Sequence, residues 1–583
     1  MIASLPDLIK LFRTEREIVE IKAEVDPYLE VAEIHRRVIE RGGPALLFTN
    51  VKGASFPLVT NLFGTKRRVD LAFGARPEEL VRELAEFPVT MMPPSAAKLW
   101  RNRRALIDLA KVGMRRKRHS SEIIFDDPPR LGRLPMLTTW PLDGGPFITL
   151  PLVYTEHPET GVHNLGMYRI QRYDDSTTGL HCQIGKGGGF HLLAARERGE
   201  RLPVQISVGG PPALILSAIA PLPEQVPELM LASLVMGGKL PLVENPYGPL
   251  PLVESAEFTL IGEVDPNEMR PEGPFGDHYG YYSLQHDYPV FRCKALARRP
   301  GAIFPATVVG KPRQEDFFIG EYLQRLLSPL FPVVMPQVLD LWSYGETGFH
   351  ALASAVVQER YARESLQSAF RILGEGQLAL TKFLLLVDKR MDLTNFSSVL
   401  EYTLERADFR SDLYIFANTS MDTLDYAGPK VNHGSKGVLV GCGERVRELP
   451  REFNAPLPVG VRGVRVFCGG CLVVEGNGYQ DERDLAQRVA RHPSFANWPL
   501  VVLVDDCARA TLNESMFLWS VFTRFEPAGD VYAAATDLVR HHPSYTPPIV
   551  IDSRMKPWYP AEVECDPATA SLVDRRWREY MPG

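Results

Sequence analysis

Between Ile148 and Arg298 the chain is cut into short β-type runs, and this punctuation constrains its fold more than any other feature. ITLPLVYTE, HNLGMYRIQRYD, TGLHCQIG, PVQISVGG, LVENPYGPLPLVE, AEFTLIGEV and FRCKALAR follow one another with turns between them. Regular short strands separated by glycine and proline are the pattern of a barrel or a sandwich. Two helical inserts interrupt the series, at FHLLAARERGE and VPELMLASLVMG. The chain has 583 residues, more than one ordinary core accommodates, so the β region is expected to be one domain among several. Ahead of it, helical patterns (LPDLIKLFRTE, EVAEIHRRVIERGG) alternate with short strands (ALLFTNV, FPLVTNLFG), an α/β signature. The expected architecture is therefore α/β (α+β, multidomain). It has an N-terminal α/β domain over residues 1–120, a central β domain over 121–315 and a C-terminal α/β domain over 316–583.

The C-terminal part contains a weak internal repeat. FLLLVDKRMDLTNFSSVLEYTLERADFRSDLYIF starts at Phe383 and LVVLVDDCARATLNESMFLWSVFTRFEPAGDVYAA starts at Leu500. Each reads as an apolar strand ending Val-Asp, a turn, an apolar-periodic helix and a further strand, as a duplicated β-α-β unit would. The intervening MDTLDYAGPKVNHGSKGV is polar and glycine-rich and reads as a loop.

Composition excludes several classes. Hydrophobic residues make up 45% and charged residues 23%, with net charge −6, the values of a soluble globular protein with no call for nucleic acid. The one basic run, Lys98 to Arg118, reads as a helix with a charged solvent face. Seven cysteines are an odd, sparse set that fits a reducing, cytoplasmic compartment. Cys468-Gly-Gly-Cys471 lies inside GVRVFCGGCLVVEG and reads as a hairpin turn; a redox pair would sit at a helix N-terminus, and a zinc site would need a second pair. The N-terminus carries charges throughout and lacks a secretory core. Val208 to Pro223 is the most apolar stretch, but four prolines break it and it is shorter than the roughly 20 residues a bilayer span requires.

The polar residues of the β region raise a chemical question. Glu272-Gly-Pro-Phe-Gly-Asp277-His278 places two carboxylates and a histidine around a turn that glycine and proline make rigid. Such a loop could hold an N-cap and a surface charge, or a proton-handling site. Around it stand His163, Asn164 and Arg169, then His181, then His191 opening a helix after the glycine run Gly185 to Gly189, then Glu224 and Glu228 opening another. Imidazole, carboxylate and amide oxygen together can hold Mn²⁺ or Mg²⁺. Arg169 beside Glu272 would form a charge-assisted pair. Asp277, farther from the arginine, would be left free to carry a proton. The glycine run would let backbone N–H groups approach an anion.

N164LGMYRIQRYDDSTTG, P221LPEQVPE and R270PEGPFGDHYGYYS, in that order, resemble the UbiD family of decarboxylases, which use prenylated FMN; the likeness continues into VDDC…FTRFEPAGDVYA. The resemblance implies that the central domain is a split β-barrel that binds the flavin and that the C-terminal domain serves oligomerisation. It implies Asn164, a histidine and Glu228 as ligands of Mn²⁺ or Mg²⁺, with K⁺ as a further ion. It implies Met167, Tyr168, Arg169, Lys186, Gly188 and Pro221 beside the cofactor, and Arg169, Glu272 and Asp277 as catalytic residues. The family's metal-binding histidine precedes a Lys-Gly-Gly run; this chain has Gly185 there, so His191 is the substitute. A lysine that some relatives place near the cofactor corresponds to Ser397 and is not carried over.

Loss of CO₂ from an aromatic or α,β-unsaturated acid leaves a carbanion that no side chain stabilises, so an electron-sink cofactor is required. The resemblance implies a reversible, non-oxidative carboxy-lyase in which Asp277 protonates the substrate carbon. Candidate substrates are hydroxybenzoates, including a polyprenyl hydroxybenzoate, and a dihydroxynaphthoate of a menaquinone route. Implied partners are CO₂, a flavin prenyltransferase as cofactor supplier, and further copies of the chain in a homodimer or homohexamer; the apolar repeat, more than one core needs, is the expected contact. The rival reading is a flavin-binding protein, either an FMN oxidoreductase or a cofactor chaperone, for which the arginine and its two acids would have no use.

Overall fold

The computed structural model describes residues 2–91, 95–101, 103, 111–182, 187–222, 227–311 and 313–581. The chain forms two compact units, residues 1–326 with 561–583 and residues 327–560.

The first unit opens on helix Leu5–Thr14, whose start is capped by Ser4 accepting from the Asp7 amide. A small four-stranded sheet follows, in the order Ile18–Ile21, Ala45–Phe48, Leu58–Thr60, Phe304–Pro305. The central β region is a seven-stranded sheet. Its main path runs Thr177–Gly179, His286–Arg298, Phe258–Glu272, Leu202–Val208, Pro151–Glu156, His163–Gly166, and Ile124–Asp126 also pairs with His286–Arg298. The two inserts are helices Gly187–Arg198 and Glu228–Met236. Strand Leu202–Val208 is buried at six of its seven positions, as expected of a strand covered on both faces. The longest pairing joins Phe258–Glu272 to His286–Arg298, with register shifts at Ile261/Gly262 and Val264/Met269. Glu272 thus ends a long strand in the sheet interior, and the Gly-Pro-Phe-Gly-Asp-His segment is the loop that turns the chain back.

The second unit holds the duplication. Strands Val338–Ser343, Leu352–Val357, Phe383–Val387, His433–Gly441 and Leu413–Ser420 lie in that order in one sheet. Val461–Cys468, Cys471–Gly476, Leu500–Val504, His542–Asp552 and Val531–Val539 lie in that order in another. Both sheets pair antiparallel, parallel, parallel, antiparallel along this path. The middle strand of each leads to a helix, Phe396–Arg406 or Glu514–Phe522, capped by an asparagine: Asn395 accepts from Ser398 and Asn513 from Met516. Cys468 and Cys471 flank the Gly469-Gly470 turn of a hairpin and are both free.

The two copies hold each other reciprocally. The helix of the first reaches the first turn of the second, where the Gly469 amide donates to Glu401 at 2.6 Å. The helix of the second reaches the first turn of the first, where Ser515 donates to Glu346 at 3.4 Å. Glu514 accepts from the amides of Phe396 and Ser397 at 3.0 and 2.8 Å, satisfying free donors at that helix start. Phe467 stacks on Phe517 with ring centroids 3.6 Å apart, and Phe396 lies 6.0 Å from Phe517. Contacts in which each partner offers the other the same feature are those of a two-fold interface, here closed within one chain.

Two sequence expectations are corrected. The basic run is not one helix: Ala96–Arg101 is helical, but Met114–Lys117 is a strand parallel to Leu240–Val243, and the residues between include 104–110, outside the described set. The polar stretch before Gly441 is not all loop: His433–Gly441 is a central strand. Its buried Lys436 donates to the carbonyls of Ala379 and Thr381 at 2.7 and 2.9 Å, so a sequence rich in glycine, serine and lysine satisfies its polar groups inside the sheet.

Phe396 and Phe517 are 0% and 1% exposed. Phe396→Ala and Phe517→Ala should each destabilise the chain by ~3–5 kcal/mol, and the double variant should show a coupling of ~0.5–1.5 kcal/mol in urea unfolding. Strict additivity would show that the copies do not support each other through this cluster.

Candidate active site

Arg169 sits between strands His163–Gly166 and Ile170–Gln171. Its guanidinium gathers the polar residues of the central sheet. Nε and one terminal nitrogen donate to the two oxygens of Glu272, both at 2.8 Å. The same terminal nitrogen donates to Ser283 Oγ at 2.9 Å, and the other donates to Asp277 Oδ2 at 2.5 Å. The plane lies over the Phe275 ring, 5.0 Å from its centroid. On the far side of Glu272, His181 Nδ1 lies 3.2 Å from Oε2, and Tyr288 packs against the imidazole.

Four residues of the loop have a physical reason for their place. Gly273 has φ +90, a conformation costly to side-chain-bearing residues. Gly276 lies on the Trp140 ring, where a Cβ would approach to 2.1 Å. Asp143 accepts from the amide of Gly276 at 2.8 Å, and Gln171 accepts from that of Gly273 at 2.8 Å. Ser283 accepts from the amide of Phe275, and the Asp277 amide donates to Tyr281 O. The loop is thereby tied down at four points around the arginine.

The electrostatics of the three charged groups differ. Burial alone would raise the Glu272 carboxyl, but hydrogen bonds from Arg169 and His181 outweigh it and hold it at about 2. Burial opposes the charge of Asp277 as well; the hydrogen bond and charge of His278 and the charge of Arg169 prevail and keep it well below the usual carboxylate range. Burial would lower the Arg169 pKa, and its two carboxylates push it higher instead. Asp277 is therefore not the distant, unpaired acid expected from its place in the sequence. It touches the guanidinium directly and is ionised in the resting site. The turn between it and Glu272 folds back, so the four residues Gly273 to Gly276 separate two groups that share one cation.

The expected metal ligands stand in a second neighbourhood. Asn164 and Thr155 are register partners, so their side chains share a face. His191 places Nδ1 2.8 Å from Thr155 Oγ1, and burial lowers its pKa to about 4, leaving a neutral imidazole. Glu228 accepts from the amide of Leu165 at 2.9 Å. Burial raises its carboxyl, with only amides opposing. Asn164 Nδ2 is buried without a partner, and the amide's oxygen and nitrogen can exchange places by a flip. Gly187 and Gly188 cradle this region: a Cβ on the first would meet Asn164 at 2.1 Å, and one on the second would meet the Tyr168 ring at 3.0 Å. Tyr168 accepts from the Gly188 amide at 3.3 Å. A half-buried carboxyl that accepts from backbone amides, a neutral imidazole held through one nitrogen and a side-chain amide whose nitrogen has no partner fit a divalent ion. Among the described residues no three His, Cys, Asp or Glu side chains gather as ligands; the candidate set contains two, with Asn164.

Of the other expected residues, Met167 packs with the apolar core around helix Leu5–Thr14, and Pro221 is exposed. Lys186 and Glu224 lie outside the described residues. Ser283, Phe275, Gln171 and Asp143 went unnoticed in the sequence. Gln171 carried a signal, two residues from Arg169 on the same strand-like run; Asp143, distant in sequence and inside an ordinary Asp-Gly-Gly turn, carried none.

A pH consequence follows from Glu272. Its depressed pKa contributes stability that is fully present above the unfolded value of about 4.5 and is lost as pH falls through about 2. Glu272→Gln should be less stable than the native chain by about 3 kcal/mol at neutral pH, and the gap should close on acidification. Urea midpoints measured from pH 7 down to about 2 check this; a gap that does not shrink would show that the pair contributes nothing through charge.

The chain is similar to known proteins along most of its length. Residues 9–87, 112–312 and 317–441 match, in turn, the N-terminal, Rift-related and C-terminal domains of 3-octaprenyl-4-hydroxybenzoate carboxy-lyase, UbiD. A protein of Chlamydia trachomatis is 52% identical over 99% of this chain and 100% of its own. One of Chlamydia pneumoniae, named as a 4-hydroxybenzoate decarboxylase component, is 50% identical over 98% of each. The vanillic acid decarboxylase of Sedimentibacter hydroxybenzoicus has a similar fold, with TM-score 0.67 and 22% identity over 79% of this chain and 96% of its own. On the match of three successive domains, over more than half its length, the chain belongs to the UbiD family of carboxy-lyases.

Proposed function

We propose that this carboxy-lyase removes CO₂, reversibly and without net oxidation, from a hydroxylated aromatic acid, with prenylated FMN as cofactor and Asp277 as the proton donor. The observation that carries the reading is the Arg169 guanidinium holding Glu272 and Asp277 at once. A hydride-transfer site has no need of such a pair. The substrate class rests on the Chlamydia pneumoniae relative named for 4-hydroxybenzoate decarboxylase; a dihydroxynaphthoate is the alternative. The cofactor is supported by similar folds described in complex with FMN and with prenylated FMN, both of the HmfF enzyme of Pelotomaculum thermopropionicum. A flavin prenyltransferase would supply it.

When bound, the prenylated flavin would provide the electron sink for the developing carbanion. Asn164, His191 and Glu228 would hold a Mn²⁺ or Mg²⁺ ion at its phosphate. The remaining chemistry belongs to the chain. Glu272, fixed on two nitrogens of Arg169, keeps the guanidinium oriented and charged. The substrate carboxylate adds negative charge near Asp277, and like charge raises a carboxyl pKa. Asp277 then takes a proton and passes it to the carbon that loses CO₂. Burial of the site around Phe275 and Tyr288 keeps bulk water from that carbon. Oligomerisation as a homodimer or homohexamer stays part of this reading.

Asp277→Asn keeps the shape but cannot exchange a proton. With the flavin-loaded enzyme it should lower kcat on 4-hydroxybenzoate, and H/D exchange at the same carbon, by ~10²–10⁴-fold while the flavin spectrum is unchanged. Turnover at the native rate would end the assignment of Asp277. In cofactor-free protein, Glu228→Gln and His191→Ala should each weaken Mn²⁺ binding in calorimetry by at least about tenfold; unchanged binding would remove that residue from the ligand set.

A further inference from the structure

An acid that gives up its proton in every cycle must be recharged, and the resting site holds Asp277 as a carboxylate. Arg169 cannot recharge it, because a guanidinium does not deprotonate in proteins. Glu272 cannot: its side chain is 0% exposed, and both its oxygens are on Arg169. His181 is 7% exposed and faces Glu272. His278 differs from all three. Its side chain is 24% exposed against 11% for Asp277, and its Nδ1 lies 2.6 Å from Asp277 Oδ1. The oxygen it meets is not the one bound by Arg169, which is Oδ2. The backbone N–H of His278 also donates to Oδ1, at 2.7 Å, which fixes the imidazole and the carboxylate relative to each other. An ionised carboxylate only accepts, so Nδ1 carries a hydrogen.

We propose that His278 is the proton carrier of the site: its imidazolium hands the Nδ1 proton to Asp277 Oδ1, and its exposed edge takes a proton from water. The step is balanced. Asp277 gives H⁺ to the substrate carbon as CO₂ leaves, His278 gives H⁺ to Asp277, and water gives H⁺ to His278, so each turnover consumes one solvent proton. Charged groups on two elements interact with His278. Asp277 lies on its own loop with Arg169 beyond it. Asp316, on helix Glu315–Leu327, is a third: burial pushes its carboxyl up to about 6, and the His278 charge pulls it down. Carboxylates beside an imidazole favour the imidazolium. His278 acts through Asp277 and is a positioning and supply residue. The inference rests on the decarboxylase reading above.

The first test needs no cofactor. In the full chain labelled with [¹⁵N]histidine, the imidazole signal absent from His278→Asn should titrate with a midpoint above the free value of about 6.5. Asp277→Asn should lower that midpoint by at least about one pH unit. A His278 signal that does not titrate between about pH 5 and 9, or that ignores Asp277→Asn, overturns the proposal. The Asp277→Asn comparison identifies the signal even where a His278 variant fails to fold. The second test uses flavin-loaded enzyme with 4-hydroxybenzoate. His278→Asn retains an N–H where Nδ1 stood, so a purely structural role would be preserved. The expected result is a fall in kcat of ~10–100-fold with KM nearly unchanged, loss of one ionisation from the pH profile, and partial recovery on adding imidazole. Native kcat with an unaltered pH profile in His278→Asn, beside an inactive Asp277→Asn, overturns the role of His278 and leaves the decarboxylase reading standing. If Asp277→Asn also turns over at the native rate, that reading fails and the carrier role fails with it.

Discussion

The buried guanidinium of Arg169 is the constraint around which the central unit is arranged. A cation taken out of water is tolerated only when its donors are satisfied and its charge is met. Here the demand is met by groups 103 to 114 residues along the chain from the arginine: Glu272 at the end of a long strand, Asp277 and Ser283 on the loop beyond it, and Phe275 beneath the plane. Each must be held in place for the others to be stable. The ties from Asp143 and Gln171 to the loop amides serve that purpose, since a loop that relaxed would leave a buried charge unpaired. Two carboxylates share one cation, so any further negative charge near them raises the affinity of one for a proton.

The division of labour between the acids follows from which atoms they offer. Glu272 gives both oxygens to Arg169 and adds His181 behind, so it has no oxygen left for chemistry. Asp277 gives Oδ2 to the arginine and Oδ1 to His278, and the imidazole side of this pair reaches solvent. The two carboxylates thus offer different atoms to the same cation.

The C-terminal duplication answers a different physical question. One β-α-β layer has an apolar surface that it cannot cover alone. The second copy covers it, and its own is covered in return. Part of the apolar surface of each copy is thus covered inside the chain, through the Phe396, Phe467 and Phe517 cluster and the reciprocal helix-to-turn contacts.

Much of this was legible beforehand, because it depends on local pattern. Strand and helix periods marked the β region, its two helical inserts and the repeat, and the Cys468–Cys471 hairpin needed only its turn residues. The loop motif and the Asn164–Arg169 spacing pointed to the right strands. The pattern failed where polar residues are buried with non-local partners. Lys436 looked like loop because its acceptors, the carbonyls of Ala379 and Thr381, lie some 55 residues away. By itself, the sequence determined the elements, their order and the residue types at the site, since these follow from local propensity and spacing. Only the tertiary structure decided that Asp277 meets Arg169 through one oxygen and His278 through the other, and that Ser283 and Asp143 complete the loop. Those contacts depend on how the chain folds back across the sheet, and distance along the chain carries no record of it.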